Sequence, residues 1–186
     1  MTEPETQWLD DHQQRSWRGL VLGMTLLMDR LDHDLQRMFG VSMTEYEILV
    51  RLSEREGRQM RMAQLADAMA HSRSRVTHTV GRLEKAGLVT RNKSPEDGRG
   101  VICSLTEHGF HLLARMAPYH VDGVRANLVD LVAADDFDAL GRVMNAVADH
   151  LVAGPRQRGM RRSTGGEVPG SSSRPARRAA SRNGCS

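Results

Sequence analysis

The chain has 186 residues, which is enough for one hydrophobic core of ordinary size and a tail. Its formal net charge at pH 7 is +3, from 26 basic and 23 acidic side chains. No run of about 18 uninterrupted apolar residues occurs, and the acidic start MTEPETQWLD lacks the basic and apolar parts of a secretory signal, so we expect a soluble, cytoplasmic protein with no membrane partner.

A long amphipathic helix is predicted from Trp17 to Phe39. Apolar residues recur there at steps of three and four, which places them along one side of a helix. They are Trp17, Leu20, Val21, Met24, Leu27, Met28, Leu31, Leu35, Met38 and Phe39.

Two shorter helices follow. Thr44 with Glu47 three residues later predicts a capping box at the start of TEYEILVRLSERE, and Gly57 is placed to end that helix. Its predicted buried residues are Tyr46, Ile48, Leu49 and Leu52. A third helix, from Met62 to Ala70, has an inward side formed by Leu65, Ala66 and Met69 and no evident N-cap oxygen.

The next stretch, HSRSRVTHTVGRLEKAG, predicts a polar fourth helix. Ser72 is a suitable N-cap, and Val76, Val80 and Leu83 follow the helical spacing of a buried side. Gly87 ends the helix, and LVTRNKS and RGVICSL on either side of the turn signal PEDG predict a two-stranded hairpin. Helix, short helix, polar helix and basic hairpin in this order predict a winged helix-turn-helix, within a mainly α (α+β) fold.

Charge points to double-stranded DNA as the partner. The segment from Arg58 to Arg99 holds nine Lys and Arg against four acids, while the rest of the chain before residue 154 is acidic. Local positive charge attracts a polyanion, and a polar helix can enter the major groove while a charged hairpin contacts phosphates or the minor groove. The residues predicted to bind DNA on these grounds are Ser72, Arg73, Ser74, Arg75, Thr77, His78, Arg82, Arg91 and Lys93.

Two further helices and a tail complete the chain. Thr106 is placed to cap a helix that runs through HLLARMAPYHVDGVRANLVDLV, with a kink expected at Pro118. In the last helix an apolar stripe suits packing against a partner helix, although packing within one subunit is the alternative. The stripe consists of Phe137, Leu140, Met144, Val147 and Leu151. Residues 154–186 hold eight Arg and little to bury, so we predict a disordered tail.

Two stretches of this sequence resemble the MarR family of bacterial transcription regulators. MAQLADAMAHSRSRVTHTVGRLEKAGLV is similar to the two DNA-reading helices of that family, and DGRGVICSLTEHG is similar to its wing signature. The resemblance extends from about Trp17 to Leu151. Gly81 departs from it, since relatives often carry Asp at that position of the recognition helix.

The resemblance implies a homodimeric repressor with interlocked terminal helices. By this comparison, residues 1–41 form an N-terminal dimerisation helix, 42–106 a winged helix-turn-helix DNA-binding domain, 107–153 C-terminal dimerisation helices and 154–186 the Arg-rich tail. It also implies that Asp97 orients Arg99 at the wing tip and that Arg99 reaches the minor groove, which adds both to the predicted DNA-binding residues.

The sequence leaves the regulating signal open. A small molecule bound between the dimerisation helices and the winged domain would release the protein from a pseudo-palindromic operator. His108 and His111 have a spacing that two ligands of one metal ion could use, but no Cys or paired carboxylate adjoins them, so no metal site or cofactor is predicted. A metal- or redox-responsive regulator and an effector-independent architectural DNA-binding protein are the alternatives.

Catalysis is not expected. The sequence contains no GxSxG, P-loop, HExxH or dinucleotide-binding fingerprint. Cys103 and Cys185 lie far apart and match no CxxC spacing, and a structural role is favoured for Cys103.

Overall fold

The computed structural model describes residues 6–94 and 100–153. The elements of this part are, in chain order, α1 (Asp11–Phe39), α2 (Met43–Ser53), β1 (Gln59–Arg61), α3 (Met62–Ala68), α4 (Arg73–Lys85), β2 (Val89–Lys93), β3 (Val101–Leu105), α5 (Glu107–Asn127) and α6 (Ala134–Ala153). Short 3-10 helices lie at Glu56–Arg58 and Val129–Leu131. The order and types of these elements confirm the predicted mainly α, winged helix-turn-helix fold.

The first helix is longer than the apolar spacing predicted. It begins after Asp10, whose carboxylate accepts from the backbone N–H of Gln13 at 2.8 Å while the Gln13 side chain accepts from Asp10 N at 3.0 Å. This capping box satisfies two N–H groups that would otherwise lack partners. The helix ends at Gly40, whose φ of +69° is a conformation that glycine adopts without strain.

The predicted start of α2 is wrong by two residues. Ser42, not Thr44, is the N-cap, and its partner in the capping box is Glu45, not Glu47. Both sequence pairs have the right spacing, but Gly40 ends α1 so close to Ser42 that the second helix begins there. The predicted buried side of α2 is confirmed. Helix α2 ends at Ser53, ahead of Gly57, which turns the chain with a φ of +66°.

Strand β1 was missed by the sequence analysis. Its three residues pair antiparallel with β3, with Met60 opposite Cys103, and give the strand order β1-β3-β2. The predicted hairpin of β2 and β3 is confirmed, with Val89 opposite Leu105 and Lys93 opposite Val101. Strand β1 is too short for a recognisable alternation, so only its pairing with β3 defines it.

The core lies between α2, α3, α4 and the sheet and is completed by α5. Leu35 of α1, Ile48 and Leu49 of α2 and Leu65 of α3 are buried at 1% exposure or less. Leu113 and Met116 bring α5 into the same cluster. Burial of this many large aliphatic side chains, each favourable by about 1.5 to 3 kcal/mol, holds the helix-turn-helix and the hairpin together.

Helix α5 starts as predicted and stops earlier. The Thr106 hydroxyl accepts from Gly109 N at 3.0 Å and donates to Gly87 O at 2.8 Å, which ties the helix start to the beginning of the hairpin. Pro118 lies within the helix, which ends at Asn127, before the end at Val132 that the sequence predicted. Within residues 6–94 and 100–153, no helix combines the length and apolar character needed to span a membrane.

Replacing Gly109 with Ala should destabilise the fold by about 3 kcal/mol. The added Cβ would lie 2.2 Å from the carbonyl oxygen of Leu88 and 2.8 Å from Cδ1 of Leu105. Gly81→Ala is the matched control, because a Cβ there meets nothing within 4 Å. It should stabilise α4 by up to about 1 kcal/mol. Urea unfolding at one fixed protein concentration measures both, and a Gly109→Ala variant as stable as wild type would contradict this packing.

Candidate nucleic-acid interface

Helix α4 presents a polar N-terminal half to solvent. Ser72 caps it by accepting from Arg75 N at 3.3 Å. Val76, Thr79 and Val80 are buried beneath it, and the Thr79 hydroxyl donates to Arg75 O at 3.0 Å. The four residues before Val76 and the two between Val76 and Thr79 are exposed. We call this set the reading face: Ser72, Arg73, Ser74, Arg75, Thr77 and His78.

The turn between α3 and α4 fixes the direction of the reading face. Ala70 adopts a φ of +52°, and His71 N donates to Ala66 O at 3.2 Å. A non-glycine residue with positive φ is uncommon and persists where the surrounding packing requires it. Leu65 and Met69 on one side of the turn and Val76 on the other are buried, so packing holds the turn in place.

Arg91 of β2 is paired with Glu84 of α4. Its backbone N–H donates to Oε1 of Glu84 at 3.0 Å, and its Nε donates to Oε2 at 2.9 Å. The hydrogen bond and charge of Arg91 lower the pKa of Glu84, and those of Glu84 raise the pKa of Arg91. The pair braces the wing against α4, and sequence spacing gave no sign of it because the two residues lie on different elements.

Arg82 also meets an acid of its own chain. Its Nε lies 3.0 Å from Oε1 of Glu45 at the start of α2. Arg82 lies on the last turn of α4 and Arg91 on the hairpin, whereas the reading face lies in the first two turns. Lys93 is exposed at the end of β2. The structure therefore places six of the predicted site residues on the reading face, Lys93 exposed on the wing, and Arg82 and Arg91 in ion pairs with acids of their own chain.

A cleft of about 290 Å³ lies between the reading face and the wing. Its walls come from the start of α3, from α4 and from the start of β3, and they include Arg61, Met62, Ala63, Arg73, Thr77, Gly100 and Val101. Guanidinium and hydroxyl groups are donors suited to phosphate oxygens. Arg61 in this wall was not among the predicted site residues. Asp97 and Arg99 lie outside the described residues.

A second cavity, of about 250 Å³, lies between α1 and α5. Its lining joins apolar and polar groups from both helices: Arg30, Leu31, Asp34, Leu35, Tyr119, His120, Asp122, Gly123, Ala126 and Asn127. The centroid of the His120 ring lies 4.7 Å from that of Tyr46, with the two rings tilted by 45°, and burial lowers the pKa of His120. Its Nδ1 is buried and has no hydrogen-bond partner among the described residues. The sequence gave no signal for this site because its residues converge only after folding.

The candidate redox and metal residues lie in contrasting surroundings. Cys103 is fully buried in β3, and burial raises its pKa to about 12, so little thiolate forms at neutral pH. His108 and His111 are exposed on α5. In the described part of the chain, no three His, Cys, Asp or Glu side chains are grouped so that they could hold a metal ion. Cys185 lies outside that part.

The chain is similar to known transcriptional regulators in sequence and in fold. The MarR family model matches residues 41–101. Sco3205, a MarR family transcriptional regulator from Streptomyces coelicolor solved in complex with DNA, is 41% identical, with a TM-score of 0.77 over 80% of this chain and 93% of that chain. AbsC, a MarR family transcriptional regulator from the same organism, is 43% identical, with a TM-score of 0.76 over 80% of this chain and 100% of that chain. The transcriptional regulator PecS of Dickeya dadantii is 28% identical over 72% of this chain and 81% of its own length.

Replacing Glu84 with Gln should remove a pH-dependent part of the stability. Because Arg91 lowers the pKa of Glu84 below its ordinary value of 4.5, the pair stabilises the folded state fully above pH 4.5 and loses this contribution as the pH falls through the lowered value. Wild type should therefore be more stable than Glu84→Gln near neutral pH, and the difference should shrink in acid. Urea unfolding from neutral pH to about pH 3 tests this, and a pH-independent difference would contradict it.

Proposed function

The chain belongs to the MarR family of transcriptional regulators, and we propose that it is a homodimeric repressor that a small ligand releases from a pseudo-palindromic operator. The observation that carries this proposal is the exposed reading face of α4 beside a basic hairpin. We assign residues 42–106 to DNA binding and residues 1–41 and 107–153 to dimerisation. Family membership agrees with the predicted absence of catalysis, since the relatives are regulators.

The chemistry of the reading face suits the major groove. An arginine can donate two hydrogen bonds to O6 and N7 of guanine, and a threonine can contact either a base edge or the thymine methyl group. Arg75 lies in the first turn of α4, the end that enters the groove in helix-turn-helix proteins. Two such helices in one dimer would meet successive major grooves and would block or compete with polymerase. For Asp97 and Arg99, the minor-groove role stays a prediction from the family resemblance.

Exposed apolar residues on the terminal helices support a dimer. Helix α6 has no buried residue between positions 134 and 152. Its Val143, Val147 and Leu151 are exposed, as are Trp17, Val21, Leu22 and Leu26 in the first half of α1. An apolar surface of this extent is uncommon on a soluble monomer and marks a contact with another molecule. A second copy that buries α1 and α6 fits the isologous pairing that most homodimers use.

The cavity between α1 and α5 supports release by a small ligand. It lies between α1 and α5, which we assign to dimerisation, and its lining residue His120 contacts Tyr46 of the winged domain, so a ligand there would lie beside both regions. Leu31 and Leu35 suit the apolar part of a small molecule, and Nδ1 of His120, which has no hydrogen-bond partner among the described residues, suits a polar group on it. Occupancy would favour one spacing of the two reading faces over another, and a spacing that differs from one turn of DNA would weaken binding.

The alternatives are distinguished by which added compound causes the protein to lose operator binding. A small phenolic or lipophilic acid should release the protein if the proposal holds. Release by a metal chelator or by peroxide would favour the metal- or redox-responsive alternative, and no release under any condition would favour an architectural role. The burial and raised pKa of Cys103 argue against that thiol as a peroxide sensor.

Val147→Asp should convert the dimer into monomers or abolish folding at micromolar concentration. A carboxylate in the apolar stripe of α6 would be buried without a partner in the proposed interface. Ala146→Asp introduces the same charge at an exposed position off that stripe and is the matched control. Sedimentation equilibrium of wild type and both variants measures the effect. A folded wild-type monomer at micromolar concentration would contradict the proposal.

Arg75→Ala should weaken operator binding by about 1 to 3 kcal/mol and relax the preference at one base pair of each half-site. The operator comes from selection of bound sequences in random duplex DNA, and affinities are compared at matched salt on the selected site and on sites altered at single positions. Arg115→Ala, at an exposed arginine of α5 outside the reading face, removes the same charge and should keep the preference. An Arg75→Ala variant with wild-type affinity and preference would contradict base reading by this residue.

A further inference from the structure

An ion pair joins the start of α2 to the end of the DNA-reading helix. Nε of Arg82 lies 3.0 Å from Oε1 of Glu45, and the exposed side-chain fractions are 53% for Arg82 and 12% for Glu45. A carboxylate removed from water this far needs hydrogen-bond donors or an opposite charge close to it. Arg82, which supplies the opposite charge at Oε1, belongs to the same helix as the reading face.

The remaining oxygen of Glu45 is held by the cap of α2. Oε2 accepts from the backbone N–H of Ser42 and from its hydroxyl, both at 2.8 Å. The capping box therefore fixes the carboxylate before any contact with Arg82 is considered. Arg82 therefore faces a carboxylate whose orientation is already fixed by Ser42. Because Glu45 does not reorient to follow Arg82, the ion pair can set the position of α4.

The start of α2 is in turn fastened to α1. The backbone N–H of Met43 donates to Oδ1 of Asp32 at 2.6 Å. Asp32, the α2 cap and Arg82 thus form a continuous polar connection from α1 through the start of α2 to α4. The apolar core beneath α4 opposes its separation from α2, and the ion pair with Glu45 opposes a shift of the end of α4 along α2.

We propose that Glu45 is a positioning residue for DNA recognition, which holds α4 through Arg82 and so sets the angle of the reading face relative to α1. The inference rests on the proposed function, since it concerns how the DNA-reading helix is aligned. Arg82 then acts through Glu45 and is not primarily a ligand of a DNA phosphate.

The positioning role and direct phosphate binding by Arg82 predict opposite effects of Glu45→Gln on DNA affinity, which makes the role testable. If Arg82 bound a phosphate directly, Glu45→Gln would remove a competing acid near DNA and would leave binding unchanged or make it tighter. Under the positioning role, the same change weakens specific binding, although it makes the protein more basic. Gln is isosteric with Glu and still serves as the third residue of a capping box, so α2 keeps its cap.

The experiment is a double-mutant cycle on full-length protein with the selected operator and with random-sequence duplex. We expect Glu45→Gln and Arg82→Gln each to weaken operator binding by about tenfold, the double variant to be no weaker than either, and binding to random duplex to change little. The salt dependence of operator binding should keep the wild-type slope in Glu45→Gln. Glu107→Gln is the matched control, because it also breaks an Arg–Glu pair, with Arg58 at 2.9 Å, outside α4.

Each outcome decides the matter. The inference is overturned if the losses of operator affinity in the two single variants add in the double variant, or if Glu45→Gln binds the operator as tightly as wild type. It is also overturned if the slope of operator affinity against salt falls by about one in Arg82→Gln but not in Glu45→Gln. If Glu45→Gln fails to fold by circular dichroism, Arg82→Met, which leaves the α2 cap intact, is compared with Arg82→Lys. Under the positioning role both variants keep the wild-type salt slope, and Lys restores the operator preference that Met loses. A slope that falls in Arg82→Met and returns in Arg82→Lys overturns it. A wild-type protein without preference for any duplex contradicts the proposed function, and the inference with it.

Discussion

Helix α4 must bury one side and expose the other, and the rest of the structure depends on this constraint. Val76, Val80 and Leu83 are each at most 2% exposed, so the rotation of the helix about its axis is settled by the core. The polar residues between them therefore face solvent. Helices α2 and α3 and the hairpin supply the apolar surface against which α4 packs, so the direction of the reading face follows from the folding of the whole domain.

Apolar burial fixes which side of α4 faces out, and polar pairs refine where its ends lie. Dispersion and hydrophobic contacts are not directional, so they tolerate small shifts of one helix along another. Ion pairs with two or more hydrogen bonds tolerate far less. Glu84 and Arg91 form such a pair between α4 and the wing, and the opposite charges of Glu45 and Arg82 meet between α2 and α4. The helix and the wing, the two surfaces to which the proposed function assigns DNA binding, are thereby kept in fixed relation.

The sequence was sufficient for most elements and their buried sides, through apolar spacing and capping residues, and for the family, through the resemblance of two motifs. It identified Ser72 and Thr106 as caps and placed Tyr46, Ile48, Leu49 and Leu52 in the core. It failed at the start of α2, where two capping pairs with equal spacing competed and the end of α1 decided between them. It also failed at β1, since three residues become a strand only by pairing with β3. The roles of Arg82 and Arg91 and the lining of the α1–α5 cavity arise from contacts between distant segments, which spacing along the chain does not encode.

The order β1-β3-β2 leaves β2 at one edge of the sheet, where its outer backbone groups could pair with a strand of another molecule. Natural proteins discourage such pairing with charged side chains on edge strands, and β2 carries Arg91 and Lys93 within VTRNK. The opposite edge, β1, offers only three residues, too few for a stable intermolecular ladder. The positive charge of the wing thus has a second consequence: it protects a small, exposed sheet from strand-to-strand aggregation in a protein whose terminal helices already carry extensive exposed apolar surface.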